Sequence, residues 1–169
     1  MADVRVVRLL PADWALYREI RLEALGESPR AFGSTLDREE AFSPLAWRER
    51  LMRRSTFAAR TARTLLGTAA GVPGEEEDQA ELVGMWVRPE WRGRGVGDLL
   101  VRAVMEWAGH RGYQSMHLWV AEGNDAAERL YGRHGFVRTG AGQPMRDDDP
   151  SRLEWEMSRP LPPDGPAAR

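Results

Sequence analysis

Val83-Gly-Met-Trp-Val-Arg-Pro-Glu-Trp-Arg-Gly-Arg-Gly-Val-Gly97 is the stretch on which the fold turns. Its first part completes a strand expected from Glu81 to Val87, because Pro89 cannot sit in a central ladder and ends the strand near Arg88. Its last part opens a helix expected from Asp98 to His110. There Leu99, Leu100, Ala103, Val104 and Trp107 form one apolar stripe, closed by Gly109 and Gly112. A glycine-spaced turn between a strand and a helix exposes backbone N–H groups that have no intrahelical partner. Those donors and the positive end of the helix dipole suit a phosphate or pyrophosphate. Gly93, Gly95 and Gly97 permit close approach and turn dihedrals, and Arg88, Arg92 and Arg94 add positive charge. The plainer alternative is a tight turn with solvated arginines.

The common nucleotide patterns do not fit this turn. It lacks the Gly-Lys-Ser/Thr ending of a P-loop, and with it the phosphate lysine and the magnesium hydroxyl. In a dinucleotide fingerprint the third glycine would fall at Leu100, and the region about 20 residues on, Ser115 to Leu118, offers no acidic ribose partner.

Outward from the turn, Val4 to Leu10 reads as a strand stopped by Pro11, and Pro11-Ala-Asp13 starts a helix carrying Trp14, Tyr17, Ile20, Leu22 and Leu25. Ser28 to Gly33 is turn-rich. A second helix is expected from Pro44 to Arg54, with Ser43 as cap and Pro44 in the first helical position. Thr56 to Ala62 and Thr64 to Gly71 read as short antiparallel strands, followed by an exposed acidic hairpin loop to Asp78. Ser115 to Val120 alternates as a strand, Asn124 to His134 is a helix with Asn124 as cap, another strand starts at Phe136, and Leu153 to Met157 makes a last weak one. The order predicts one α/β domain over residues 1–159, without internal repeats, and a disordered Pro-rich tail over 160–169.

Composition sets the outer limits. The 169 residues fit one domain, and 42% hydrophobic with 30% charged residues is an ordinary globular balance. A net charge of −2 gives no global reason to expect nucleic acid or an anionic membrane as partner. The absence of cysteine removes disulfides, thiolate metal sites and a cysteine nucleophile, and no metal is expected. No signal-type segment and no run of about 20 apolar residues is visible, which makes a cytoplasmic protein the default.

With Arg92, Gly95 and Gly97 matching a Gln/Arg-x-x-Gly-x-Gly/Ala phosphate motif, the chain resembles the GNAT superfamily of N-acetyltransferases. A second signature lies at the expected distance: Asn124-x-x-Ala127-x-x-Leu130-Tyr131-x-x-x-Gly135-Phe136, preceded by Leu118-Trp-Val120. The two span Leu82 to Val137, about a third of the chain. The resemblance implies an α/β (α+β) fold: a single mixed, mostly antiparallel sheet of about six or seven strands, helices on both faces, and central strands splayed at a CoA site.

It also implies roles. Backbone amides of Arg92, Gly93, Arg94, Gly95, Val96 and Gly97 would hold the pyrophosphate of acetyl-CoA. The backbone of Met85, Trp86 and Val87 would pair with the pantetheine arm, and Asn124 would bond it. Tyr131 would be general acid toward the leaving thiolate, its alternative being a ring packed under the sheet. Glu81, eleven residues before Arg92, matches a catalytic glutamate of the histone-acetylating members, its alternatives being a solvated side chain or a base made of ordered water. Glu39, Glu40 and His117 are weaker base candidates, whereas His110 and His134 belong to helix ends. With no cysteine, direct amine attack in a ternary complex is expected; a non-catalytic acyl-CoA-binding regulatory module is the alternative. Small-molecule and peptide amines remain open as acceptors, Trp14, Trp47, Trp86 and Trp119 read mostly as core, and a homodimer is open to the chain without a residue that demonstrates it.

Overall fold

The computed structural model describes residues 3–163. Seven strands and five α-helices run in the order β1 (Arg5–Arg8), α1 (Trp14–Glu27), α2 (Leu36–Glu40), α3 (Pro44–Arg53), β2 (Ser55–Arg60), β3 (Leu65–Pro73), β4 (Gln79–Val87), α4 (Val96–His110), β5 (Ser115–Ala121), α5 (Asp125–Arg133), β6 (Val137–Arg146) and β7 (Asp149–Pro160). Short 3₁₀ turns sit at Pro11–Asp13, Pro29–Ala31 and Pro89–Trp91. The strands form one sheet in the order β1-β2-β3-β4-β5-β7-β6, with β4 and β5 the parallel pair and every other pairing antiparallel. The expected mixed, mostly antiparallel sheet is therefore present.

A hydrophobic core covers each face. On one, α4 lays Val96, Leu100, Val101, Val104 and Ala108 against Leu66, Ala80, Leu82, Met116 and Leu118 of the strands. The buried stripe is turned from the expected one: Leu99 and Ala103 are only half-buried, and Val96, Val101 and Ala108 take the centre. On the other face Tyr17, Ile20 and Leu25 of α1 meet Trp47 and Leu51 of α3 over Ala58, Leu65 and Trp86. Trp47 is fully buried, and Trp86 nearly so.

Of the register shifts in the sheet, the one in β4 bears on the site. Opposite β3 the register runs Thr68↔Trp86 and Ala70↔Val83, so Gly84 and Met85 together face Ala69. Two residues against one is a β-bulge, and Gly84 takes it at φ +65°, a conformation that glycine adopts without a Cβ penalty. The extra residue flips the strand's faces. Ala80 and Leu82 point at α4, but Trp86, also even-numbered, points at α1.

Three boundaries differ from the sequence reading. The short helix α2 arises where no helix was expected; its cap is Thr35, whose hydroxyl accepts from the Arg38 N–H at 3.3 Å. The last hairpin is much longer than Leu153 to Met157, because β6 and β7 pair from Val137↔Ser158 to Arg146↔Asp149. The chain also stays ordered past residue 159: β7 includes Pro160, and Leu161 is buried in the α4-side core with its N–H donating to the Gln114 carbonyl at 2.8 Å. The rest of the expected tail, residues 164–169, lies outside the described residues. Among the described residues no helix is long and apolar enough to cross a membrane.

Candidate active site

The β4–β5 ladder is short. It pairs Gln79↔Ser115, Ala80↔Met116 and Glu81↔His117 and then stops, although β4 runs on to Val87 and β5 to Ala121. Past Glu81 the two strands are splayed, and the β4 edge that faces β5 has no strand partner. The splay coincides with the Gly84–Met85 bulge, which adds local twist and carries β4 away from its neighbour. Two cavities open from this gap.

The outer cavity, about 670 Å³, runs from the glycine turn to the gap and is bounded by Met85, Val87, Gly93, Gly95, Asn124 and Arg129, among others. Gly93 and Gly95 stand at φ +70° and +82°, and a Cβ on either would meet nothing within 4 Å. These glycines therefore serve backbone conformation at the open mouth. Gly97 is different: it lies inside α4 with no positive φ, and a Cβ there would stand 3.0 Å from Leu130 Cδ2, so its smallness lets α4 and α5 approach. Gly95 is the N-cap of the 15-residue α4, so the free N–H groups of the first turn face the cavity mouth. The cradle fits an anion.

The arginines do not all serve it. Arg92, at the edge of the outer cavity, turns toward α1, donating to the Val87 carbonyl at 2.9 Å and to Glu27 at 2.8 and 3.3 Å. Those Arg92 bonds, with further ones from Ser28 and Trp86, hold the Glu27 carboxyl at about 2. Arg88 pairs with Glu23 at 2.9 Å, and Arg94 stacks over Trp91. The positive charge that the sequence placed around the turn is thus largely neutralised by α1 for Arg88 and Arg92, and Arg92 contributes its backbone and a brace. Asp98, in the first turn of α4, would oppose an anion. Partial burial works to raise its pKa, but hydrogen bonds from Arg133 and His134 outweigh it and hold the carboxylate low and paired. Arg129 of α5 lines the outer cavity with no ion-pair partner among the described residues, and the sequence reading missed it. It lies two residues before Tyr131, inside the second signature, which is the signal that marked its neighbourhood.

The inner cavity, about 430 Å³, lies beyond the gap. Tyr131, Glu81, Glu154 and Trp119 line it, together with arginines of α1, α2 and the α3 end. Ala31, Met85, Asn124 and Ala127 line both cavities, so the two meet at the bulge and the start of α5. Asn124 caps α5, its Oδ1 accepting from the Ala127 N–H at 3.3 Å. Tyr131 is 5% exposed and packs edge-on to Phe136, and burial pushes its phenol well above the usual range. The ring therefore packs in the core, as the plainer reading of this tyrosine has it, and the residue also borders the inner cavity.

Burial also raises the Glu81 carboxyl, with nearby His117 opposing it. His117 Nε2 stands 3.8 Å from Glu81, outside hydrogen-bond reach, and Nδ1 is 2.8 Å from Glu156. Glu156 in turn accepts from the Thr139 hydroxyl at 2.8 Å. The structure thus joins Glu81 and His117 and adds Glu154 and Glu156 of β7, which the weak alternation of Leu153 to Met157 concealed. Glu39 is no base: it is fully buried and bonded by Arg21 at 3.0 to 3.3 Å and by Arg50. Glu40 is exposed and lines neither cavity. His110 ends α4 as expected, and His134 caps α5.

Comparison with known proteins agrees with this architecture. The family model "Acetyltransferase (GNAT) family" matches residues 16–136. An uncharacterised N-acetyltransferase of Methanocaldococcus jannaschii is 39% identical over 62 residues, 37% of this chain and 27% of that protein. The chain thus spans only about a quarter of that relative's length. Among solved structures, a GNAT-family acetyltransferase from Streptococcus pneumoniae superposes with a TM-score of 0.79 at 18% identity, covering 95% of this chain and 100% of that one. A putative acetyltransferase from Salmonella typhimurium, solved with acetyl-CoA, gives 0.73 at 21% identity, covering 98% and 96%. These acetyltransferases and this chain thus share one fold over nearly their whole lengths. The chain belongs to the acetyltransferase (GNAT) family.

Proposed function

We propose that this chain moves an acetyl group from acetyl-CoA to a primary amine by direct attack in a ternary complex. The observation that carries the reading is the junction of the two cavities at Met85, Asn124 and Ala127, with Tyr131 and Glu81 on the inner side of it. The outer cavity suits the donor. Backbone N–H groups from Gly93 to Gly97 take the pyrophosphate, Arg129 adds charge, and the unpaired β4 edge from Met85 to Val87 offers a strand-like partner for the pantetheine arm. Bound there, the donor supplies an activated thioester.

The inner cavity suits the acceptor. A new C–N bond forms as the C–S bond breaks, so one proton must leave the amine and one must reach the sulfur. Glu81, its carboxyl raised by burial, takes the amine proton, directly or through one water; His117, held by Glu156, is the positioning partner beside it. Tyr131, kept neutral by the same burial, gives its hydroxyl proton to the leaving sulfur. A backbone N–H of the splayed strand near Val87 polarises the carbonyl.

The test is thiol release from acetyl-CoA over a panel of primary amines, paired with pre-steady-state kinetics. Amine-dependent thiol release without a burst is expected. Acyl-enzyme accumulation would overturn direct attack, and tight acetyl-CoA binding with no acetylation of any amine would overturn the catalytic reading.

A further inference from the structure

The inner cavity is not electrically even. Its wall from α1, α2 and the end of α3 carries Arg21, Arg38, Arg50 and Arg54. One buried carboxylate, Glu39, lies behind that wall, and it is shared by Arg21 and Arg50 alone. Arg21 spends Nε and Nη2 on Glu39, while Nη1 comes to the bulge, where a Cβ on Gly84 would stand 3.8 Å from it. Arg54 and Arg38 make no ion pair among the described residues, although burial presses on Arg54 hard enough to lower its pKa. A half-buried guanidinium lacking a partner is an expensive arrangement unless something supplies the anion.

The opposite wall carries the two carboxylates Glu81 of β4 and Glu154 of β7. Burial, and then the charge of nearby Glu81, raises the Glu154 carboxyl, and the charge of Arg54 works to lower that of Glu81. Of the groups that face this space, four guanidiniums, backed by the one Glu39 charge, stand at one end and two carboxylates at the other. A purely cationic acceptor would bring like charge to the arginine end. The chain has 24 arginines and no lysine, and the planar fork of an arginine matches a carboxylate in two-bond geometry.

We infer that the acceptor is a small amine that also bears a carboxylate, seated with its carboxylate on Arg54 and Arg38 and its amino group toward Glu81 and the cavity junction. The inference rests on the transfer reaction proposed above and deepens it by naming the substrate class. A volume of about 430 Å³ lies within the range of small-molecule pockets, so a free amino acid or a short derivative is the occupant, not a folded protein surface.

The experiment compares matched pairs that differ only in the carboxylate: tyrosine with tyramine, phenylalanine with phenethylamine, lysine with cadaverine. Thiol release from acetyl-CoA should favour the carboxylate member in kcat/KM by about 10- to 100-fold, the scale of a charge-assisted pair. Arg54→Gln should erase most of that preference and leave the KM for acetyl-CoA unchanged, Arg54→Lys should restore part of it, and Arg38→Gln should lower it independently. Equal or better turnover of the decarboxylated members would overturn the inference and leave the acetyltransferase reading standing. If acetyl-CoA binds but no amine is acetylated, the transfer reading fails instead. Calorimetric titration of the same pairs into the CoA-saturated protein then decides this one: selective binding of the carboxylate members supports it, and indifference overturns it.

Discussion

Glu39→Ala separates structure from chemistry in the arginine wall of the inner cavity. The Glu39 side chain is fully buried, and those of its partners Arg21 and Arg50 are 9% and 16% exposed. Removing one member of such a cluster leaves buried charge uncompensated, a change that costs about 3–5 kcal/mol. Arg50 retains some access to water and can rehydrate, which puts the expectation near the lower end, about 3 kcal/mol. For a chain of this size each kcal/mol moves Tm by roughly 2–4 °C, so thermal unfolding should fall by about 6–12 °C. The pH dependence supplies a second reading of the same cluster. Burial works to raise the Glu39 carboxyl, but hydrogen bonds and charge from Arg21 and then Arg50 outweigh it, and the folded pKa ends below 4.5. A carboxyl lowered on folding contributes stability that is whole above its unfolded pKa and is lost as pH falls through its folded pKa. The gap in stability between the unaltered chain and Glu39→Gln should therefore be flat above about pH 5 and narrow below it. Calorimetric and urea unfolding across that range measure both effects. A Tm loss under about 2 °C for Glu39→Ala would refute the account of a clamped, buried acid.

Three further outcomes concern the site itself. Tyr131→Phe should lower kcat by about 100-fold or more while the Kd for acetyl-CoA in calorimetry stays within about twofold; an unchanged kcat removes Tyr131 from proton transfer. Gly95→Val forces a β-branched residue to φ +82° at the N-cap of α4. The strain, about 1–2 kcal/mol, should distort the cradle and weaken acetyl-CoA binding roughly tenfold or more, whereas undiminished binding would dismiss the cradle. Glu81 must be ionised to accept a proton and burial raises its pKa, so kcat/KM should fall with decreasing pH through a midpoint above 4.5. Glu81→Gln should remove that acid limb from the profile; a limb that persists assigns it to another group.

What the sequence made legible was local. The glycine turn, α4 and the Asn124 cap rest on local spacing; the turn and the cap stand where they were expected, and α4 begins two residues early, at Val96, so that it takes in Gly97. Pairings between distant segments were not legible. Arg92 meets Glu27, and Glu39 meets Arg21 and Arg50 across other elements, so charges that read as surface became braces and a clamp. The sequence offered Glu39 and Glu40 as weaker base candidates; the fold instead turns arginines into the cavity and shuts Glu39 behind them. Helix α2 escaped notice because five residues are too few to show a period. Leu161 escaped because a Pro-rich composition masks one apolar anchor.

The bulge at Gly84 is the step that ties the outer cavity to the inner one. Without the extra residue, Trp86 would return to the face of Ala80 and Leu82 and meet the packed side of α4. With it, Trp86 buries against α1 and its ring N–H donates to Glu27 at 2.9 Å. Glu27 is also the carboxylate that holds Arg92, whose Nε bonds the Val87 carbonyl at the end of the same strand. The inserted residue thus lies where β4 parts from β5 and where Arg21 reaches the inner cavity, and Trp86 and Glu27 tie the same strand to Arg92 of the glycine turn. The two cavities are coupled through α1 and β4, and a change at Gly84 should disturb acetyl-CoA binding and acceptor choice together, whereas changes at Gly95 or Arg54 should disturb one of them.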